Sequence, residues 1–203
     1  MKNFWDNVYA KKNIDQVSWY TPSLTVSLQL IKNLTFSNKD KIIDIGAGRS
    51  FLADDLIKDE FLNLTLFDIS EEAINQSKVR LGEFNTVDIK YIVGDITNYE
   101  FNLKKFDVWH DRAVFHFLTE KKQRDTYINS LKKTLTPKGH AILATFGPNG
   151  PNKCSGLDVM NYDQETLSKE LGEAFVCLGS KIEIHQTPFK TEQEFLYCWY
   201  QRV

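Results

Sequence analysis

The stretch Lys41-Ile42-Ile43-Asp44-Ile45-Gly46-Ala47-Gly48-Arg49-Ser50 decides the fold. A short apolar run ending in closely spaced glycines reads as a buried strand passing into a tight turn. A helix is expected next, over Ser50–Lys58, and then a second strand at Leu64–Asp68. Ser70 stands as an N-cap, with Glu71 and Glu72 in a first helical turn where the helix dipole favours acids. Upstream, Leu24, Leu28, Ile31 and Leu34 recur at helical spacing, and Pro22 is placed to open that helix.

The alternation continues downstream. Ile89–Val93 and Phe106–Trp109 read as the third and fourth strands. A helix over Lys121–Leu135 is expected to stop at Pro137-Lys138-Gly139, before a fifth strand at His140–Phe146. Gly147–Asn161 reads as a long loop, followed by a short helix at Gln164–Leu171. Two final strands, Phe175–Gln186 and Glu194–Arg202, are joined by a connection too short for a parallel crossover and must be antiparallel. Strands alternating with helices imply a parallel sheet covered on both faces. The expected class is therefore a doubly wound α/β fold with an antiparallel edge.

The chain has 203 residues, 42% hydrophobic and 26% charged. Such a length supports one good core, so residues 1–203 are expected to form a single domain, with 1–38 as an N-terminal arm. The 25 basic and 27 acidic residues leave a net charge of -2, which lacks the footprint of a general nucleic-acid binder. Cys154, Cys177 and Cys198 form no CxxC pair, so neither a disulfide framework nor a metal site is indicated. Residues 1–7 contain no apolar signal core, and no segment is long enough to span a bilayer. These features read as a cytoplasmic enzyme or binding protein without membrane contact.

Open α/β sheets bind ligands at the carboxyl ends of their strands. A dinucleotide fold would want its third glycine at position 51, which is Phe51, and a bulky side chain there obstructs close helix–strand packing. The alternative pattern, Asp-x-Gly-x-Gly over Asp44, Gly46, Ala47 and Gly48, resembles motif I of the class I S-adenosylmethionine-dependent methyltransferases. Ser50 stands where that family often has a further glycine. The resemblance covers nearly the whole chain and implies a Rossmann-like, seven-stranded sheet of order 3-2-1-4-5-7-6, strand 7 antiparallel. It implies S-adenosyl-L-methionine as cofactor. Asp68, after the second strand, would grip both ribose hydroxyls, since a carboxylate accepts two hydrogen bonds at once. Gly94-Asp95 resembles the pair that receives the adenine amino group, with Ile69 and Ile96 as apolar neighbours of the ring. His110 would lie near the methionine end. Trp19-Tyr20 and Tyr9 resemble lid residues that cross the cofactor, whereas Trp5 reads as a packing residue.

The acceptor side is expected at the fourth strand end. The Asn/Asp-Pro-Pro-Tyr signature of enzymes that methylate amide-like nitrogens is missing there. Asp111-Arg112-Ala113 resembles the Asp-Arg-Gly stretch of thiopurine methyltransferases and the Asp-Lys-Gly stretch of small protein-lysine methyltransferases. Asp111, Arg112 and His116 are the candidate acceptor-side residues, although Asp111 and Arg112 equally read as a local ion pair. The leading expectation is methyl transfer to a small nucleophile such as a thiol. The alternatives are a protein-lysine methyltransferase and a cofactor-binding protein without catalysis.

Overall fold

A computed structural model of the chain describes residues 1–82, 84, 89–101 and 106–203. Its helices are α1 (Lys2–Lys11), α2 (Thr25–Leu34), α3 (Leu52–Lys58), α4 (Glu71–Leu81), α5 (Lys121–Thr134) and α6 (Gln164–Leu171). Its strands are β1 (Lys41–Ile45), β2 (Asn63–Asp68), β3 (Lys90–Val93), β4 (Phe106–Arg112), β5 (Leu135–Phe146), β6 (Lys153–Cys154), β7 (Leu157–Asp158), β8 (Phe175–Gln186) and β9 (Glu192–Arg202). Seven strands form one sheet in the order β3-β2-β1-β4-β5-β9-β8. Strand β9 runs antiparallel to both neighbours, and the other pairings are parallel. This is the doubly wound order expected above, with β8 and β9 as its sixth and seventh strands.

Residue alternation sends neighbouring side chains to opposite faces. Ile43, Trp109 and Leu143 join one core under α5 and α6, with Ile128, Leu131 and Leu167. Ile42, Val108 and Ile142 join the other, beneath α2, α3 and α4, with Ile31, Leu56 and Ile74. Each central strand is apolar on both faces because both are covered. Ser70 caps α4 as expected, its hydroxyl accepting the Ala73 N–H at 3.2 Å.

Strand β4 runs on to Arg112, past the expected end at Trp109, and three further differences from the sequence reading have a local cause. Helix α2 starts at Thr25 rather than at Pro22, because the Thr21 hydroxyl bonds the Ser23 carbonyl at 2.9 Å and holds Pro22 in a turn. Strand β5 begins at Leu135, not after Pro137-Lys138-Gly139, and pairs with Phe106 across a register shift. Proline is tolerated at such an irregularity, and Lys138 takes a φ of +64° there. The loop after β5 contains the β6–β7 hairpin. Its turn residues Ser155 and Gly156 have φ of +52° and +82°, the left-handed pair that tight hairpins require.

Candidate active site

The carboxyl ends of β1, β2 and β3 form the site floor. Gly46 and Gly48 turn the chain with φ of +68° and +53°. A Cβ on Gly46 would stand 2.1 Å from Val114 Cγ2, and one on Gly48 would stand 2.7 Å from the Tyr9 hydroxyl. Glycine is therefore demanded both by the backbone and by the close approach of the segment after β4 and of α1. The Gly46 and Ala47 N–H groups both donate to the Phe67 carbonyl, at 2.7 and 3.0 Å. Asp68 next door accepts the Gly48 N–H at 2.8 Å and the Ser70 N–H at 2.7 Å. Burial pushes its carboxyl up to about 6, against the pull of those two N–H donors. Each oxygen retains further lone-pair capacity for a ligand. Asp95 accepts the Thr97 N–H and hydroxyl on one oxygen, at 2.9 and 2.6 Å.

Above this floor lies a cavity of about 370 Å³, within the usual range for small-molecule sites. It is lined by Asp68, Ile69, Gly94, Asp95 and Ile96 from the strand ends, and also by Arg112, Phe117, Glu120, Cys154 and Asp158. Among the described residues, four carboxylates and one guanidinium belong to its lining. A second, smaller cavity of about 50 Å³ is lined by Asp44, Ala47, Gly48, Tyr20, His110 and Arg112, among others. Gly46, Tyr9, Trp19 and Arg112 border both.

Helix α1 crosses the larger cavity. Asp6 accepts the Ser70 hydroxyl at 2.7 Å and the Glu72 N–H at 3.3 Å, which pins α1 to the start of α4. Arg49 bonds the Lys12 carbonyl at 3.0 Å and lies 5.1 Å from the Tyr9 ring centre. Trp5 meets Trp19 and Phe117 edge to face, with ring centres 5.7 and 5.4 Å apart. Trp5 thus packs, as expected, but also lines the larger cavity, as do Tyr9 and Trp19. Its spacing of four from Tyr9 on one helix was the signal available for this. Tyr20 borders only the smaller cavity.

The three acceptor-side candidates separate in space. Arg112 borders both cavities. It donates to the Tyr197 hydroxyl at 3.1 Å and the Trp19 carbonyl at 3.3 Å, and stacks 4.2 Å above the Phe195 ring. Its Nη2 is buried without a partner among the described residues. Asp111 points the other way and is 0% exposed. It accepts the Tyr127 hydroxyl at 2.6 Å and the Val114 and Phe115 N–H groups at 2.9 and 3.2 Å. No Asp111–Arg112 ion pair occurs among the described residues, because successive strand residues face opposite sides. His116 also lies off the cavities, its ring between Phe117 and Phe146 at 4.6 Å from each. Its Nδ1 accepts the Phe146 N–H at 3.2 Å, and burial beside Arg112 drives its pKa down to about 3. His110 is sealed between Asp44 and Ser27, at 2.7 and 2.8 Å.

Several lining residues escaped the sequence reading. Glu120, Gln123 and Asp158 come from α5 and the β6–β7 hairpin, far from any motif. Cys154, read as a passive loop residue, is carried into the cavity wall by that hairpin. Burial pushes its thiol up to about 11, so it is a neutral wall.

Residues 36–194 match a family described as a methyltransferase domain. The chain belongs to this methyltransferase family. Among curated relatives, EEF1A lysine methyltransferase 2 of Danio rerio is 27% identical over 157 residues, 71% of this chain and 67% of that protein. The malonyl-[acyl-carrier protein] O-methyltransferase of Paenibacillus sp. (strain JDR-2) is 25% identical over 134 residues, 62% of this chain and 48% of that protein. Of solved structures, the N-methyltransferase NodS from Bradyrhizobium japonicum WM9, in complex with S-adenosyl-l-homocysteine, superposes with a TM-score of 0.72 at 18% identity. That alignment covers 99% of this methyltransferase and 97% of NodS. A structure from work on disulfide-to-thioacetal conversion in echinomycin biosynthesis gives a TM-score of 0.80 at 14% identity, over 100% and 92% of the two chains. The fold is that of the class I S-adenosylmethionine-dependent methyltransferases. Among the described residues, no helix is long and apolar enough to cross a membrane, and no group of metal-ligating side chains occurs.

Proposed function

We propose that this methyltransferase transfers the methyl group of S-adenosylmethionine to an amine of the lysyl side-chain type. S-adenosylmethionine, when bound, supplies an already activated methyl group on a sulfonium. The residues fit it. The floor end of the larger cavity offers two carboxylates, Asp68 and Asp95, with Phe67, Ile69 and Ile96 as apolar surface. That set suits a diol and an adenine ring rather than a pyrophosphate, which would call for cations or a nest of free N–H groups. Asp68 would hold the ribose hydroxyls on its remaining lone pairs, and Asp95 the adenine amino group.

The observation that carries the choice of acceptor is the uneven charge of the cavity wall. Glu120 and Asp158 line the same cavity as Trp5, Trp19 and Phe117, with Asp158 also 3.3 Å from the Lys153 ammonium. Carboxylates attract an ammonium, and aromatic faces receive it through their quadrupoles. The ammonium must lose a proton before nitrogen can attack, and that proton leaves to water at the exposed Glu120 and Asp158 side chains. The chain's part in the transfer is alignment, exclusion of water and export of that proton toward the acidic rim. The lysine methyltransferase relatives support this acceptor. A small, anionic or soft nucleophile is the second reading, favoured by the unpartnered Nη2 of Arg112.

Incubation with methyl-labelled S-adenosylmethionine and cell lysate, separated by size and then hydrolysed, decides between them. Label recovered as methyllysine is expected. Label confined to small molecules overturns the amine reading in favour of the second. Absence of transfer beside intact S-adenosylhomocysteine binding identifies a cofactor-binding protein instead.

A further inference from the structure

Ser27 on α2 and Tyr197 on β9 are both 0% exposed and border neither cavity. They nevertheless complete a buried hydrogen-bond chain. Arg112 Nε donates to the Tyr197 hydroxyl at 3.1 Å. Ser27 Oγ donates to the same Tyr197 hydroxyl at 3.5 Å. Ser27 Oγ is 2.8 Å from His110 Nε2, and His110 Nδ1 is 2.7 Å from Asp44 Oδ1.

The two ends of this chain are a cation and an anion: a guanidinium only donates and a carboxylate only accepts. The Tyr197 hydroxyl accepts from Arg112 on one side and from Ser27 on the other, and Ser27 Oγ in turn lies within hydrogen-bond reach of the imidazole that meets Asp44. Burial holds the Tyr197 phenol above its ordinary range, so it stays protonated beside the guanidinium.

Both charged ends of the chain border the smaller cavity, beside Gly48 and Tyr20. Arg112 meets only neutral groups in its described contacts, namely a phenol, a carbonyl and a phenyl face. A fixed cation and a fixed anion on one small space form a pattern that a zwitterion completes. We propose that Ser27 and Tyr197 are positioning residues that hold Arg112 and Asp44 as opposed charged walls for the zwitterionic amino-acid end of the methyl donor. This rests on the donor assignment above.

Calorimetric titration of the full chain with S-adenosylhomocysteine and with 5′-methylthioadenosine, which lacks the amino-acid end, tests it. The wild-type chain should bind the first at least about tenfold more tightly, a gap expected from charge-assisted bonds. Tyr197→Phe removes only a hydroxyl and should shrink that ratio roughly fivefold, through S-adenosylhomocysteine alone. Ser27→Ala should shrink it about threefold, and Ser27→Thr should restore it. A merely structural role lowers both affinities together and leaves the ratio unchanged, which overturns the proposal. An unchanged ratio with unchanged affinities does the same. If Tyr197→Phe does not fold, the Ser27→Ala and Ser27→Thr pair decides on its own. A wild-type chain that binds neither ligand overturns the donor assignment itself, and the two failures are thereby told apart.

Discussion

The ends of β2 and β4 each carry a buried carboxylate, and the two are alike in most local respects. Asp68 and Asp111 are 4% and 0% exposed, and burial pushes both up to about 6. Each accepts two backbone N–H groups, Asp111 from the turn after its own strand and Asp68 from the turns after β1 and β2. The difference lies in what remains. Asp68 borders the larger cavity, whereas Asp111 gives its second oxygen to the Tyr127 hydroxyl inside the core. A strand-end position and a raised pKa therefore do not separate a ligand-binding acid from a supporting one. The direction in which its free lone pairs face does.

The comparison breaks most readily at Asp111. Asp111→Ala leaves the Tyr127 hydroxyl and two N–H groups unpaired in the core and should destabilise the fold by about 3–5 kcal/mol. Urea unfolding measures this, and S-adenosylhomocysteine affinity of the folded fraction should hardly change. Asp68→Ala frees only the Gly48 and Ser70 N–H groups, and its larger effect should be on binding. Loss of two charge-assisted bonds, about 3 kcal/mol net, should weaken S-adenosylmethionine binding on the order of 100-fold. Unchanged affinity in that variant would place the ribose elsewhere.

Acidity sharpens the contrast next. A folded-state pKa of about 6, above the usual 3.8, means the folded chain holds both protons more tightly than the unfolded chain. Each group thus contributes stability at low pH that is lost as pH rises through about 6. Binding runs the other way, because the ribose hydroxyls need the Asp68 carboxylate. S-adenosylhomocysteine affinity should fall about tenfold between pH 7.5 and pH 5, as the ionised fraction falls. In Asp68→Asn that slope should flatten, and in Asp111→Asn it should persist. The smallest effect belongs to Asp95→Ala, where one bond costs about 1 kcal/mol, or roughly fivefold in affinity.

Much of this was legible in the chain because the signals are local. Strand–helix alternation, the Ser70 cap and the acids at strand ends each sit within a few residues of what they define. The Pro137 region escaped because pairing of Leu135 with Phe106 overrode the local breaker. Asp111 escaped because Tyr127, which claims it, lies a helix away. Ser27 and Tyr197 meet across 170 positions, and no motif spans them. The acidic rim has the same origin, since Glu120 and Asp158 are brought together only by α5 and the β6–β7 hairpin.

The strand order also sets a timetable. Asp44 and His110 are 66 positions apart, so the β1–β4 pairing that unites them closes late compared with a hairpin. The β8–β9 hairpin, by contrast, closes locally, with Gln186 opposite Glu192. On a ribosome the cofactor floor can be laid down once β4 has emerged. Strand β9 is made after its sheet neighbours, yet it must slot between β5 and β8. Because Tyr197 rides on it, a nascent chain stalled before β9 would own the floor acids but not the completed hydrogen-bond chain. The site matures only once β9 has joined the sheet.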